Sequence, residues 1–235
     1  MQRNTRKTKE NEVSRLLLQG EIALMNQLSP QARKYFKKAV KLNPASPEAL
    51  FSLGEFFRFL GKWHIADKLY RRAIELSPRS FYKYRLALLL KDMGKFASAS
   101  QLLEEVLQEN PNDAFYHFLL GEIFLEMDEY EKTIKHWKIA VELTPLDDFY
   151  HAWLGIALAI VGDWKNAESE LAKACKLKPT NSVYFCLLGD IQWLIGDQHM
   201  ADFYYEKANG MSPYDEFNLR KFRKTLFKRV AFRDL

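Results

Sequence analysis

The chain of 235 residues contains little of what several protein classes need. Its two cysteines, Cys175 and Cys186, cannot build a disulfide framework and lack the spacing of zinc ligands. Ten glycines and eight prolines are too few for a turn-rich all-β fold. The longest apolar run, Ala152–Gly162, has eleven residues, against the roughly 20 of a membrane-spanning helix. We therefore expect reduced cysteines and a location in the cytoplasm or in an organellar stroma or matrix.

Motifs that carry catalysis are also missing from the sequence. It contains no glycine-rich phosphate loop, no nucleophile elbow and no HExxH pattern. The five histidines are scattered, and His117 and His151, which share a repeat position defined below, are expected to be packing residues roughly 10 Å apart. The sequence therefore predicts a non-enzymatic protein without metal or cofactor. Residues 1–12 are polar and of mixed charge, which predicts an N-terminal tail and no signal peptide.

The net charge of +5 is concentrated at the two ends of the sequence. Residues 216–235 contain seven basic and two acidic side chains, and residues 1–12 contain four basic and two acidic ones. The segment 13–215 has 24 basic and 26 acidic residues and is nearly neutral. This distribution argues against a dedicated nucleic-acid binder, because such a protein needs a basic face along its body.

Six prolines recur with a period of 33 or 34 residues, which is typical of a repeat array. Taking each proline as repeat position 32 defines six repeats, and positions 8, 20 and 27 of these repeats are almost always small. Position 24 is always bulky. The prolines are Pro44, Pro78, Pro111, Pro145, Pro179 and Pro213, and the repeats are 13–46, 47–79, 80–113, 114–147, 148–181 and 182–215.

Each repeat contains two amphipathic segments of about 12–14 residues, which predicts two helices. Small residues allow the helices to approach closely, and the bulky residue at position 24 fills the space beside this contact. Glycine at position 15 of four repeats predicts a left-handed residue at the end of the first helix. The proline at position 32 stops the second helix.

This pattern resembles the tetratricopeptide repeat (TPR) family, whose unit is a 34-residue helix–turn–helix. The resemblance covers about Val13 to Pro213 and implies a right-handed all-α solenoid of six repeats. Residues 216–235 are predicted to form a basic amphipathic capping helix, with the stripe Leu219, Phe222, Leu226 and Val230 packed on the last repeat. The family implies a scaffold, adaptor or assembly factor that binds a protein partner in a concave groove.

The groove residues implied by the resemblance lie on the first helix of each repeat. Trp153 and Trp193 are the predicted aromatic anchors, because aromatic residues dominate binding hot spots. The first helix of repeat 5 is apolar on every side, which indicates either burial, self-association or partner binding. The full set is Phe51, Glu55, Tyr84, Arg85, Lys91, Phe115, Phe118, Glu122, Phe149, Trp153, Ile156, Asp190 and Trp193.

A second function remains open for the basic C-terminal helix. An amphipathic basic helix can bind an anionic membrane surface or a nucleic-acid backbone, so the protein could be a peripheral tether. The simpler alternative is a solvated face of a capping helix. The predicted basic surface consists of Arg220, Lys221, Arg223, Lys224, Lys228 and Arg229.

Overall fold

The computed structural model describes residues 2–211 and 216–230. The described residues form thirteen α-helices and no strand, which confirms the predicted all-α, solenoid-type fold class. Pro213 and the end of the predicted capping segment, 231–235, lie outside the described residues. The helices are α1 Gln2–Met25, α2 Ser29–Leu42, α3 Pro47–Phe59, α4 Trp63–Leu76, α5 Ser80–Asp92, α6 Phe96–Glu109, α7 Ala114–Glu126, α8 Tyr130–Leu143, α9 Asp148–Ile160, α10 Trp164–Leu177, α11 Ser182–Ile195, α12 Gln198–Asn209 and α13 Glu216–Val230.

The helices form two compact units, Met1–Glu109 and Asn110–Leu235, called unit 1 and unit 2 below. Unit 1 consists of the hairpins α1/α2, α3/α4 and α5/α6. Unit 2 consists of α7/α8, α9/α10 and α11/α12, followed by α13. In each hairpin the first helix packs along the second, and each second helix within a unit contacts the first helix of the next hairpin. The single six-repeat array remains a prediction.

Small and bulky residues meet at the predicted places within each hairpin. The small residues at position 20, from Ala32 to Ala201, are fully buried. In repeat 4, a Cβ added to Gly121 would lie 2.3 Å from Nε1 of Trp137, so the indole occupies the space that a side chain at position 8 would need. The Trp137 ring is itself fully buried, and its Nε1–H donates to the carbonyl of Phe118 at 3.0 Å.

Position 15 is left-handed in all six repeats. Four of these residues are glycines, with φ between 68° and 94°, as expected from the sequence. The other two are Gln27, with φ of 59°, and Asp128, with φ of 56°. Non-glycine residues rarely adopt this conformation, because the Cβ atom then crowds the following carbonyl.

Residues 2–12, predicted as a polar N-terminal tail, are helical in the structure. Helix α1 begins at Gln2, so residues 2–12 extend the first helix of repeat 1 by about three turns. The segment is rich in Lys, Arg, Glu and Gln, all good helix formers, and it lacks glycine and proline. The segment has no apolar periodicity, so the sequence pattern did not predict this part of the helix. Apolar periodicity indicates a buried face and is not required for helix formation.

Candidate partner-binding groove

The first helices of unit 2 form an apolar floor. Phe118 of α7 is buried, and its ring lies 5.3 Å from Phe149 and 6.3 Å from Trp153 of α9, measured between ring centroids. Ile156 is fully buried one helical turn after Trp153. Aromatic and aliphatic side chains from two successive repeats therefore form one continuous apolar surface.

Helix α13 lies on this floor. Its side chains Leu219, Phe222 and Leu226 are buried, and the Phe222 ring is 4.6 Å from Trp153 and 6.4 Å from Phe149. Backbone contacts connect α13 with α9 and α11. We call the surface of α7, α9 and α11 that carries α13 the unit 2 groove. The prediction that this stripe packs on the last repeat is therefore incomplete, because α13 extends over the first helices of three repeats.

Ion pairs surround the apolar contact between α13 and the groove. Lys221 Nζ lies 3.4 Å from Oε1 of Glu122 on α7, and 4.9 Å above the centroid of the Trp153 ring. Arg229 donates to the Leu125 carbonyl at 3.0 Å and pairs with Asp128 at 3.3 Å. These contacts give the groove an acidic rim that complements a basic helix.

Asp190 of α11 is the most buried carboxylate of the groove, with a side chain only 3% exposed. Arg223 of α13 holds it with two hydrogen bonds of 2.8 Å, and the Tyr205 hydroxyl donates a third of 2.8 Å. Burial, followed by the charge of Asp190, raises the pKa of Tyr205, which favours the protonated hydroxyl that donates this hydrogen bond. The predicted groove residue Asp190 therefore binds an arginine of the chain itself.

The predicted basic surface needs a correction. Lys221, Arg223 and Arg229 bind acidic residues of α7 and α11, and the Arg229 side chain is only 9% exposed. Arg220, Lys224 and Lys228 lie on the exposed side of α13. The spacing of the basic residues alternates between these two sides, which is why composition alone could not separate them.

The two predicted tryptophan anchors differ in the structure. Trp153 is 2% exposed and lies beneath α13, so its indole is not available at the surface. Trp193 is 54% exposed at the edge of the groove, with its ring 6.5 Å from Phe227 of α13. Helix α9 is enclosed by α8, α10 and α13, so its apolar character requires no second copy of the chain. Phe115 is exposed on α7.

The remaining predicted groove residues lie on α3 and α5 of unit 1. The Phe51 ring contacts Phe81 and Tyr82 of α5, with centroids 5.2 Å and 4.9 Å away. Glu55 accepts hydrogen bonds from Arg85 and from the Tyr70 hydroxyl, and burial raises the pKa of Tyr70. This aromatic and charged cluster also includes Tyr84, whose ring meets Phe81 edge-on, while Lys91 is half-buried at the end of α5.

Two histidines of unit 2 form hydrogen bonds to the turn that precedes their own helix. Nε2 of His117 lies 3.0 Å from the Pro111 carbonyl, and Nε2 of His151 lies 3.0 Å from the Pro145 carbonyl. A carbonyl oxygen only accepts, so Nε2 carries the proton in both rings. Nδ1 of His117 then faces Nδ1 of His136 at 3.0 Å, whereas Nδ1 of His151 faces Glu170 at 2.6 Å.

We expect unit 2 to lose stability as the pH falls from about 6.5 to about 4. Burial, followed by the charge of His117, lowers the pKa of His136 from 6.5 to about 4. Across this pH range His136 takes up a proton in the unfolded chain but not in the folded chain, so protonation favours unfolding. The free energy of unfolding therefore falls by roughly 1–3 kcal/mol, a value reduced by solvent screening because His136 is only half-buried. Urea unfolding curves at several pH values measure the loss. The variant His136→Gln should show a shallower pH dependence, and an unchanged dependence would contradict the assignment.

Comparison with family models identifies the class of protein. Models described as tetratricopeptide repeat match residues 17–80, 84–132 and 183–215, which together cover well over half of the sequence. The chain therefore belongs to the tetratricopeptide repeat family, which confirms the resemblance. The described residues contain no helix with the length and hydropathy to cross a membrane, and no group of three or more potential metal ligands.

Two curated relatives match parts of this chain. Superkiller protein 3 of Schizosaccharomyces pombe is 36% identical over 74 residues, which are 31% of this chain and 5% of that protein. Its Saccharomyces cerevisiae counterpart is 29% identical over 91 residues, 38% of this chain and 6% of that protein. The match thus spans about a twentieth of the length of either relative.

The solved structures show the fold alone. Pseudomonas aeruginosa pilF has a TM-score of 0.71 and 16% identity, over 97% of this chain and 99% of that chain. YrrB, described as "a TPR protein with an unusual peptide-binding site", has a TM-score of 0.61 and 19% identity, over 80% of this chain and 97% of that chain.

Proposed function

We propose that this protein is a non-catalytic scaffold, adaptor or assembly factor that binds a helix or peptide of a partner protein on the first helices of its repeats. The observation that carries the proposal is the unit 2 groove, which holds an amphipathic helix by an apolar floor and an acidic rim. Helix-in-groove recognition uses this combination of apolar anchors at helical spacing and complementary charge. The peptide-binding site named for YrrB gives independent support on a similar fold. The two buried thiols fit a reducing compartment such as the cytoplasm or an organellar matrix.

A pair of exposed aromatic residues in the last repeat tests the proposal. Trp193 lies on the first helix, beside the groove, whereas Phe203 lies on the second helix, and the two are 54% and 49% exposed. We expect a photo-reactive phenylalanine analogue at position 193 to cross-link the chain to defined partner proteins in extracts of the source cells. The same analogue at position 203 is the matched control. Equal cross-linking at both positions, or none at position 193, would refute the proposal.

The tether function has less support. Arg220, Lys224 and Lys228 are exposed on the outer side of α13 together with Phe217, and this stripe could lie on an anionic membrane. Three cations contribute about 1 kcal/mol each near such a surface, which is weaker than the anchoring that a stable tether needs. The other half of the basic side chains binds unit 2 itself.

A further inference from the structure

We infer that α13 is a built-in competitor of the partner: the unit 2 groove accepts a basic amphipathic helix of another protein only when α13 leaves it. The inference rests on the proposed function and adds two things to it, namely the chemistry of the partner and the control of access. A groove that already holds a helix of the chain can bind a second helix only by exchange.

The contacts of α13 define the helix that fits. Its buried side chains Leu219, Phe222 and Leu226 have the spacing i, i+3 and i+7, so they form one stripe along the helix. Its inward cations meet Glu122, Asp190 and Asp128, so an acidic helix would be repelled at three places. We therefore expect the partner to present a helix with leucine or phenylalanine at this spacing, flanked by lysine or arginine.

Removal of α13 leaves the rest of unit 2 complete. Each of the other six helices of the unit keeps its hairpin partner, α7 with α8, α9 with α10 and α11 with α12. Helix α13 has no such partner and contacts the unit through one face. Its departure therefore breaks one interface and leaves every hairpin core intact.

Two features of the occupied groove favour exchange. The indole Nε1 of Trp153 is buried without a hydrogen-bond acceptor among the described residues, so α13 fills the floor without satisfying this donor. A buried donor without an acceptor is unfavourable, because it has lost its hydrogen bond to water. The rim is partly wet: the side chains of Lys221 and Asp128 are 46% and 66% exposed. Exposed ion pairs form and break readily and contribute little to stability.

Binding of the isolated helix in trans tests the inference. The probe is a fluorescein-labelled peptide of residues 216–230, and its anisotropy is measured against the full-length chain and against the variant Phe222→Asp. The aspartate removes the central contact with Trp153 and releases the attached helix. We expect the variant to bind the peptide about 30-fold or more tightly than the unaltered chain, because an attached helix competes at a millimolar effective concentration.

The matched control is Phe217→Asp, the same substitution on the same helix at a side chain that is 77% exposed. The affinity of this variant for the peptide should lie within about two-fold of the affinity of the unaltered chain. A peptide carrying Arg223→Glu and Arg229→Glu should bind neither form, because its charges face Asp190 and Asp128. Circular dichroism establishes that each protein variant retains its helices.

Hydrogen exchange gives a second measurement that needs no variant. Excess unlabelled peptide should accelerate amide exchange in residues 216–230 of the unaltered chain and leave α9 protected. Equal peptide affinity of the unaltered chain and Phe222→Asp would overturn the competition while supporting the groove as a helix-binding site. Absence of peptide binding to a folded Phe222→Asp chain would also overturn the inference, and the proposed function would then depend on cross-linking from position 193 alone.

Discussion

Replacement of Gly121 by alanine is expected to destabilise unit 2 by roughly 2–4 kcal/mol, as a clash in a packed core does. The new Cβ would lie 2.3 Å from Nε1 and 2.4 Å from Cδ1 of Trp137, far inside contact distance. The Trp137 ring is fully buried and its Nε1–H is bonded to Phe118, so it cannot move without opening the core. Alanine gains only about 1 kcal/mol over glycine in helix propensity, so the clash decides the sign. Urea unfolding followed by tryptophan fluorescence measures the effect, since four of the five tryptophans are in unit 2.

Two further variants make the prediction for Gly121 specific. Gly210→Ala is the matched control, because its Cβ would come no nearer than 3.8 Å to the surrounding atoms, and we expect it to be neutral or slightly stabilising. The double variant Gly121→Ala, Trp137→Leu reproduces the pair Ala87 and Leu103 of repeat 3, both fully buried. It should be less destabilised than the sum of the two single variants. Additivity of the two substitutions, or a neutral Gly121→Ala variant, would show that the ring does not need this space.

Replacement of Arg223 by methionine is expected to weaken the docking of α13 in the groove. The carboxylate of Asp190 would keep only the Tyr205 hydroxyl as a partner while remaining buried, and an uncompensated buried charge costs roughly 3–5 kcal/mol. Arg223 itself is 39% exposed, and Asp190 becomes accessible to water when α13 leaves the groove. The energetic cost of the substitution therefore cannot exceed the free energy with which α13 docks in the groove. Hydrogen exchange of residues 216–230 should therefore accelerate by about 10- to 100-fold, which corresponds to roughly 1.4–2.7 kcal/mol.

A second substitution separates the charge effect from lost packing. The double variant Asp190→Asn, Arg223→Met removes the charge that the methionine leaves without compensation, so α13 should exchange more slowly than in Arg223→Met alone. Melting of the hairpins α7 to α12 should change little in either variant. If Arg223→Met left the exchange of α13 unaltered, the contact with Asp190 would have no part in docking.

The fold was predictable because its constraints are local and repeated. A small residue at position 8, such as Gly121, and a bulky one sixteen residues later, such as Trp137, meet within one hairpin, and six copies of this pattern fix the spacing. Positions 20 and 27 are buried in all six repeats for the same reason, and position 24 is buried in the first five, whereas Tyr205 of repeat 6 is half-buried. The packing of such a hairpin follows from the sequence of one repeat.

The location of α13 could not be predicted in this way. The stripe around Phe222 indicates that the helix must cover an apolar surface, and both the end of the last repeat and the groove offer one. The contacts that decide between them are distant in sequence: Arg223 is 33 residues from Asp190, and Arg229 is 101 residues from Asp128. The apolar character of α9 likewise predicted a cover without identifying it. Trp153 therefore appeared as a candidate anchor for a partner, although the chain covers it with its own helix.

The left-handed turn at Asp128 contributes to the specificity of α13 docking. Four other repeats end their first helix with glycine, which adopts this conformation without crowding. Repeat 4 instead keeps a residue whose backbone is disfavoured by about 1 kcal/mol or more, and its carboxylate receives Arg229. A glycine there would relieve the backbone but would remove the ion pair with Arg229, leaving that side chain with the Leu125 carbonyl and Glu126. The six repeats share a pattern of small, bulky and proline positions, so a departure from that pattern distinguishes one repeat from the next, and Asp128 lies where α13 attaches.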